Sequence, residues 1–285
     1  MEHARTAAAV LVTGASSGIG RTTVQRLARR GDLTVWASAR RPDSISDLAG
    51  ERVRVVACDV TDEESMQSAV AAVEAEHGAV TALVNNAGYG AYGTIEETPL
   101  ASVRRQFETN VFGLARMTQL VLPGMRSAGT GRIINISSMG GRLVFPVGGY
   151  YHASKYAVEA ISDALRLEVG PFGISVSVVE PGLIRTGFRG TASQTMADSA
   201  GSDSPYAAMR AAAERSMNGV YRSRWLSAGP EAVAAVVERA LTSPRPRIRY
   251  VVTVPAVAMV HSRRLFGARA FDAYVRRSFL AGNRR

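Results

Sequence analysis

The sequence predicts an α/β protein: a doubly wound, mostly parallel sheet of about seven strands flanked by helices, with a basic helical extension at the C-terminus. Three observations predict it. Short β-branched apolar runs alternate with amphipathic stretches of helical length through the first two thirds of the chain, the rhythm of βαβ units covered on both faces. The first run ends in a glycine-rich turn that opens a helix. Positive charge collects at the end: from Arg245 to Arg285 ten arginines face one acid, Asp272, a net of +9, whereas the preceding 244 residues net only +1.

In chain order, the strands are expected at residues 8–13, 33–38, 52–57, 80–85, 132–137, 175–179 and 249–253, with a helix near Arg21 after the first and another at 230–241 before the last. Residues 187–228 lapse into Gly, Ser, Thr, Asp and Ala with scattered aromatics, and so long an irregular insertion reads as a substrate lid. One domain is expected, residues 1–255 with the lid inside it, and 256–285 as an amphipathic extension of the same domain. The only cysteine, Cys58, excludes an intrachain disulfide and reads as a small buried hydrophobe in a reducing compartment. Four scattered histidines give no metal site. The apolar residues 7–12 are too short for a signal-peptide core and no stretch is long enough to span a bilayer, so a cytoplasmic location is expected.

The turn after the first strand runs Thr13, Gly14, Ala15, Ser16, Ser17, Gly18, Ile19, Gly20. Glycines let backbone approach a pyrophosphate, and the free amides and dipole of a helix start receive its charge. Arg40 follows Ala39 where the second strand ends. An acid there would bond a ribose 2′-hydroxyl; alanine beside arginine better suits a 2′-phosphate, which favours NADP over NAD. Arg41 is a second candidate, equally readable as a solvated loop charge. Asp59 and Val60 after the third strand can meet the adenine, and Asn86, Ala87 and Gly88 after the fourth can line the adenosine side. Of 34 basic residues only one is lysine, Lys155, four positions after Tyr151. On a helix that spacing sets ammonium and phenol one turn apart on one face. Pro181 and Gly182 close the sixth strand, ahead of Ile184 and Thr186.

Together these residues resemble the short-chain dehydrogenase/reductase family in its single-domain branch. The likeness rests on the turn at Thr13, Asn85-Asn86-Ala87-Gly88, Asn110, Ser138, Tyr151 with Lys155, and Pro181-Gly182 with Thr186, in family order over residues 8–190. The stretches from Asn85 to Gly90 and from Pro171 to Val176 look like the part that includes 17β-hydroxysteroid and retinol dehydrogenases. The resemblance implies a Rossmann-type fold, a homodimer or homotetramer, and a catalytic tetrad of Asn110, Ser138, Tyr151 and Lys155. Ser138 would bond the substrate oxygen and Tyr151 would move the proton. Lys155 would favour the phenolate and hold the nicotinamide ribose, and Asn110 would anchor a water beside it. The backbone near Ile184 and the Thr186 hydroxyl would meet the carboxamide.

The expected activity is NADP(H)-dependent interconversion of a carbonyl and an alcohol on a fairly apolar small molecule. The alternative is a non-catalytic dinucleotide-sensing or scaffold protein on the same fold. Tyr150 and Ser137 adjoin the two catalytic candidates but miss the family's spacing, and Ser137 is given a structural or cofactor-side role. His152 points about 100° from Tyr151 on a helix and reads as packing or an interface. In the tail, Leu265, Phe271, Tyr274, Val275 and Phe279 fall near helical spacing. The tail can be a lid over an apolar substrate, a subunit contact or a membrane-surface helix; docking on the protein ranks first, a peripheral membrane contact second and nucleic acid last.

Overall fold

In the computed structural model, which describes residues 8–198, 204–222 and 225–279, each expected strand is present within one or two residues. β1 (Ala8–Val12), α1 (Gly18–Leu27), β2 (Leu33–Ala39), β3 (Val53–Ala57), α2 (Glu63–His77) and β4 (Ala82–Asn85) form the first half. Then come α3 (Leu100–Phe107), a wide π-type turn at Glu108–Gly113, α4 (Leu114–Ala128), β5 (Gly131–Ile136), α5 (Gly149–Val169) and β6 (Ile174–Pro181). α6 (Phe188–Asp198), α7 (Ala207–Arg222), α8 (Pro230–Thr242), β7 (Arg249–Val252) and α9 (Val254–Phe279) complete the described chain. The seven strands are all parallel, in the order β3-β2-β1-β4-β5-β6-β7. The order reverses between β1 and β4, and a crevice opens at the strand ends there.

Period-two alternation builds a core on each face of the sheet. From β1, Val10 and Val12 pack with Val24 and Leu27 of α1 and Val233 and Val237 of α8. Ala9 and Leu11 pack with Met66 and Val70 of α2 and Met117 and Val121 of α4. β2 is buried along its whole length, as an inner parallel strand must be. α2 starts where Asp62 accepts a hydrogen bond from Ser65 N (2.7 Å), and stops at Gly78, whose φ of +78° favours glycine. Cys58 is buried, and burial pushes its thiol up to about 11.

The expected irregular conformation of residues 187–228 is corrected: the described residues are mostly two helices, α6 and α7. Ala207, Ala208 and Ala211 to Ala213 supply helix propensity to α7. α6, rich in Thr and Ser, is held by burying Ala192 and Met196 rather than by propensity. Met196 and Ala213 meet Val147 in a small separate core with Met209 and Met217. Residues 199–203 and 223–224 of the expected lid, and 280–285 of the tail, lie outside the described residues. α9 breaks at Gly267 (φ +75°, ψ 178°), and Phe271 and Val275 beyond the break pack with Val260 against Leu143.

Candidate active site

The glycine turn is fastened from β4. Thr13 Oγ1 accepts hydrogen bonds from Asn86 N (3.0 Å) and Ala87 N (3.1 Å), and Asn86 Nδ2 donates to Thr13 O (2.9 Å) and Gly14 O (3.1 Å). Two glycines are obligatory for different reasons. Gly14 has φ +69°, and at Gly20 a Cβ would sit 2.4 Å from Gly14 O and from Asn86 Nδ2. α1 begins at Gly18, three residues before Arg21, so the backbone of Ser16 to Ile19 lies at a helix start whose amides and dipole suit an anion.

One cavity of about 1370 Å³ runs from this turn across the strand ends. Gly14, Ser16, Ser17, Gly18, Ile19, Arg40, Asp59, Val60, Asn86, Ala87 and Gly88 border it, as do Pro181, Gly182, Ile184 and Thr186. Arg40 is exposed at its rim. The Thr186 side chain lies against the turn, 3.3 Å from where a Cβ on Gly18 would be. Asp59 accepts from Thr61 N (3.0 Å) and Thr61 Oγ1 (2.8 Å), which fixes the loop after β3. Three expected cofactor residues, Gly20, Arg41 and Asn110, do not border the cavity. Gly20 packs beneath the turn, and Arg41 instead caps a short 3-10 helix, its carbonyl accepting from Ser44 N (3.1 Å).

Ser138, Tyr151 and Lys155 border the same cavity. Ser138 stands past the end of β5 and its Oγ accepts from Gly140 N (3.0 Å), leaving its own proton to donate. Tyr151 and Lys155 sit one turn apart on α5, both buried. The Tyr151 ring stacks on Tyr92 (5.5 Å) and meets Phe188 (5.4 Å). Lys155 Nζ donates to Ile136 O (2.9 Å), and burial pulls its pKa down to about 8, with the field of Glu159 one turn further along opposing that fall. Glu159 is itself bound by Arg249 (3.1 Å), which also reaches Glu180 and Asp163. Burial raises the pKa of both Glu159 and Glu180.

Asn110 is buried in the π-type turn, behind the cavity wall rather than on it. Its amide clasps Tyr89, donating to Tyr89 O (2.9 Å) and accepting from Tyr89 N (3.0 Å), and it donates to Ser154 Oγ (3.1 Å). Across Gly88 it adjoins Lys155: a Cβ on Gly88 would be 3.0 Å from Asn110 Oδ1 and 3.7 Å from Lys155 Nζ. Tyr150 turns away, its hydroxyl donating to Ile95 O (3.3 Å). Ser137 is buried beneath Gly141.

Of the two readings of His152, packing or an interface, the structure shows packing: the ring is buried and packs on Phe145 (5.9 Å), and it also borders the cavity. Its Nδ1 lies 3.1 Å from Gly140 O, which can only accept, so the proton is on Nδ1. Burial lowers its pKa to about 4, which keeps the ring neutral. Beyond Tyr151 the wall is Tyr92, Phe145, Phe188, Met217, Leu226 and Met259; Phe188, Met217 and Leu226 come from the segment expected to be a substrate lid, and the other three are not singled out by the sequence. Among the described residues no His, Cys, Asp and Glu cluster can hold a metal, and no helix is long and apolar enough to cross a membrane.

A seven-stranded doubly wound sheet, with a glycine turn and a buried Tyr-Lys pair opening on one cavity at the switch point, defines a Rossmann-fold oxidoreductase. Residues 8–197 match the family model described as short chain dehydrogenase, and the chain belongs to that family. It is 43% identical over 198 residues to a 3-ketodihydrosphingosine reductase of Bacteroides thetaiotaomicron, covering 70% of this chain and 71% of that one. Two solved structures align at similar length. The closed form of a serine dehydrogenase complexed with NADP+ is 27% identical, with a TM-score of 0.73 over 85% of this chain and 93% of its own. A Burkholderia phymatum short chain dehydrogenase/reductase in complex with NAD is 26% identical, with a TM-score of 0.76 over 93% of this chain and 96% of its own.

Proposed function

We propose that this oxidoreductase uses NADP(H) to interconvert a carbonyl and an alcohol on a fairly apolar small molecule, with Ser138, Tyr151, Lys155 and Asn110 as its tetrad. The observation that carries the reading is the single cavity: Arg40 and the glycine turn border it at one end, and beyond Tyr151 its wall is aromatic, Met and Leu. The residues fit a dinucleotide, since the Gly14 conformation and the open helix start leave backbone amides for a pyrophosphate. Bound there, the nicotinamide would supply or accept the hydride. Ser138 Oγ donates a hydrogen bond to the substrate oxygen, and Tyr151 delivers the proton in reduction and removes it in oxidation. Lys155, charged below about pH 8, favours the phenolate and bonds the ribose. Asn110 keeps Tyr89 in place beside Gly88 and Lys155, and by resemblance would anchor a connecting water.

Within the family, the stretches from Asn85 and from Pro171 support a place near the 17β-hydroxysteroid and retinol dehydrogenases. The Bacteroides relative, named for a ketone, supports a carbonyl substrate. A homodimer or homotetramer goes with the resemblance. An NADPH-oxidation screen across steroid, retinoid, long-chain aliphatic and polyketide-like carbonyls is expected to find turnover among them; turnover with none would overturn the reading.

The two solved neighbours carry different dinucleotides, so the cofactor rests on Arg40. Arg40→Ala is expected to weaken NADPH binding by about 10- to 100-fold, the worth of a charge-assisted phosphate contact, while NADH binding hardly changes. Titration of both cofactors by fluorescence checks it, and tighter NADH than NADPH binding by the unaltered protein would sink the assignment.

A further inference from the structure

The outer wall of the cavity is built by segments whose free faces are apolar and basic together. The first part of α9 buries Ala256 and Val260 on one side. Its opposite side carries Val254, Val257, Ala258, His261 and Leu265 at helical spacing, all exposed. At Gly267 the helix breaks, and just before that corner Leu265 and Phe266 are 77% and 72% exposed. Five arginines flank the corner between Arg263 and Arg277, against the single acid Asp272. Arg263 turns inward over the Phe271 ring (5.5 Å), whereas Arg264, Arg269, Arg276 and Arg277 are exposed.

This surface adjoins the substrate end of the cavity. Pro255, Ala258, Met259 and Tyr274 of α9 line the cavity, as does Leu226, whose neighbour Trp225 is 92% exposed. Isolated apolar side chains at a surface are ordinary. An exposed aliphatic and aromatic corner ringed by arginines that form no ion pair among the described residues is the pattern of an interfacial helix.

We propose that this corner docks on an anionic lipid surface, with Leu265 and Phe266 entering the acyl boundary and the arginines meeting the headgroups. The cavity then faces the bilayer and can receive an apolar carbonyl compound from it; this last clause rests on the function proposed above, and the docking does not. Charge complementarity selects the occupant. A symmetric contact between two copies would bring the arginine corners together. An asymmetric one needs an acidic partner surface, and the chain before Arg245 carries nearly balanced charge, net +1. Anionic lipid supplies the missing countercharge.

The test is co-sedimentation of the full chain with vesicles of phosphatidylcholine alone, or doped with phosphatidylglycerol, at low and high salt. Binding is expected to be at least about tenfold tighter to the anionic vesicles and to weaken with salt. Trp36 is buried, so a blue shift of tryptophan emission on binding reports Trp225. Leu265→Glu with Phe266→Glu, and separately Arg264→Glu with Arg269→Glu, are each expected to reduce binding at least about tenfold while NADPH affinity and the melting temperature stay unchanged. None of these four residues borders the cavity. Binding to neither vesicle, equal binding to both, or variants that bind as the unaltered chain does would overturn the proposal. Variants that turn an oligomer into monomers would overturn it too, assigning the corner to a contact between copies. Turnover of a water-soluble carbonyl in the same samples reads the proposed function separately, since its absence leaves the vesicle result standing.

Discussion

Tyr151→Phe is expected to lower NADPH-dependent carbonyl reduction by about 100- to 10,000-fold, the range attached to a positioned acid or base. Phenylalanine is the right replacement because the Tyr151 ring also has a packing role, stacked on Tyr92 and touching Phe188. Removing the ring would open a hole in the cavity wall, and a loss of rate would then report packing as much as chemistry. Removing only the hydroxyl leaves the ring contacts in place. NADPH affinity, read by fluorescence titration, should be little changed, since the glycine turn and Arg40 lie at the other end of the cavity. Single-turnover measurements should place the loss in the chemical step. Turnover within about tenfold of the unaltered enzyme would remove Tyr151 from the mechanism. A solvent water at the carbonyl could then deliver the proton unaided.

Short sequence patterns encode part of this fold and leave the rest to tertiary pairing and burial. Runs such as Val-Leu-Val-Thr and Ile-Ile-Asn-Ile mark buried parallel strands by composition alone, so strand number and order of appearance were legible. Strand ends were not, because pairing decides them: β2 reaches Ala39 by pairing with Ala57, and β6 reaches Pro181 by pairing with Val252. α6 and α7 were read as loop because their Ser, Thr and Gly suggest turns, while the burial of Ala192, Met196 and Ala213 that holds them is a tertiary fact. The tetrad positions were legible as a resemblance, and their surroundings were not. The amide of Asn110 clasps the backbone of Tyr89, 21 positions earlier, from a π-type turn that no periodicity announces. His152 packs as its angle from Tyr151 suggests, yet it also borders the cavity, because Gly140 and Gly148 leave room for its ring: a Cβ there would lie 2.6 Å from Nδ1 and 2.7 Å from Nε2.

Lys155→Arg is the second large effect, because it keeps the charge and changes only the shape that carries it. If a nearby positive charge were all that the Tyr151 hydroxyl needed, arginine would serve, and every other basic position in this chain is arginine. The geometry argues otherwise. Lys155 Nζ is buried, donates to Ile136 O at 2.9 Å and adjoins Gly88 and Asn110, a space shaped for a compact ammonium whose three donors can serve backbone, ribose and water together. A planar guanidinium is longer and wider, and must displace β5 backbone or leave the site. The substitution is expected to reduce kcat/KM about 100-fold or more and to weaken NADPH binding as well. The pH profile separates shape from charge. Burial holds Lys155 near a pKa of about 8, so in the unaltered enzyme the charge is present below that pH and is lost as pH rises through it. Arginine stays charged throughout. If shape matters, alcohol oxidation by the variant stays low even below pH 8, where both side chains are charged. Rates equal to those of the unaltered enzyme below pH 8, where both side chains are charged, would show that charge alone suffices.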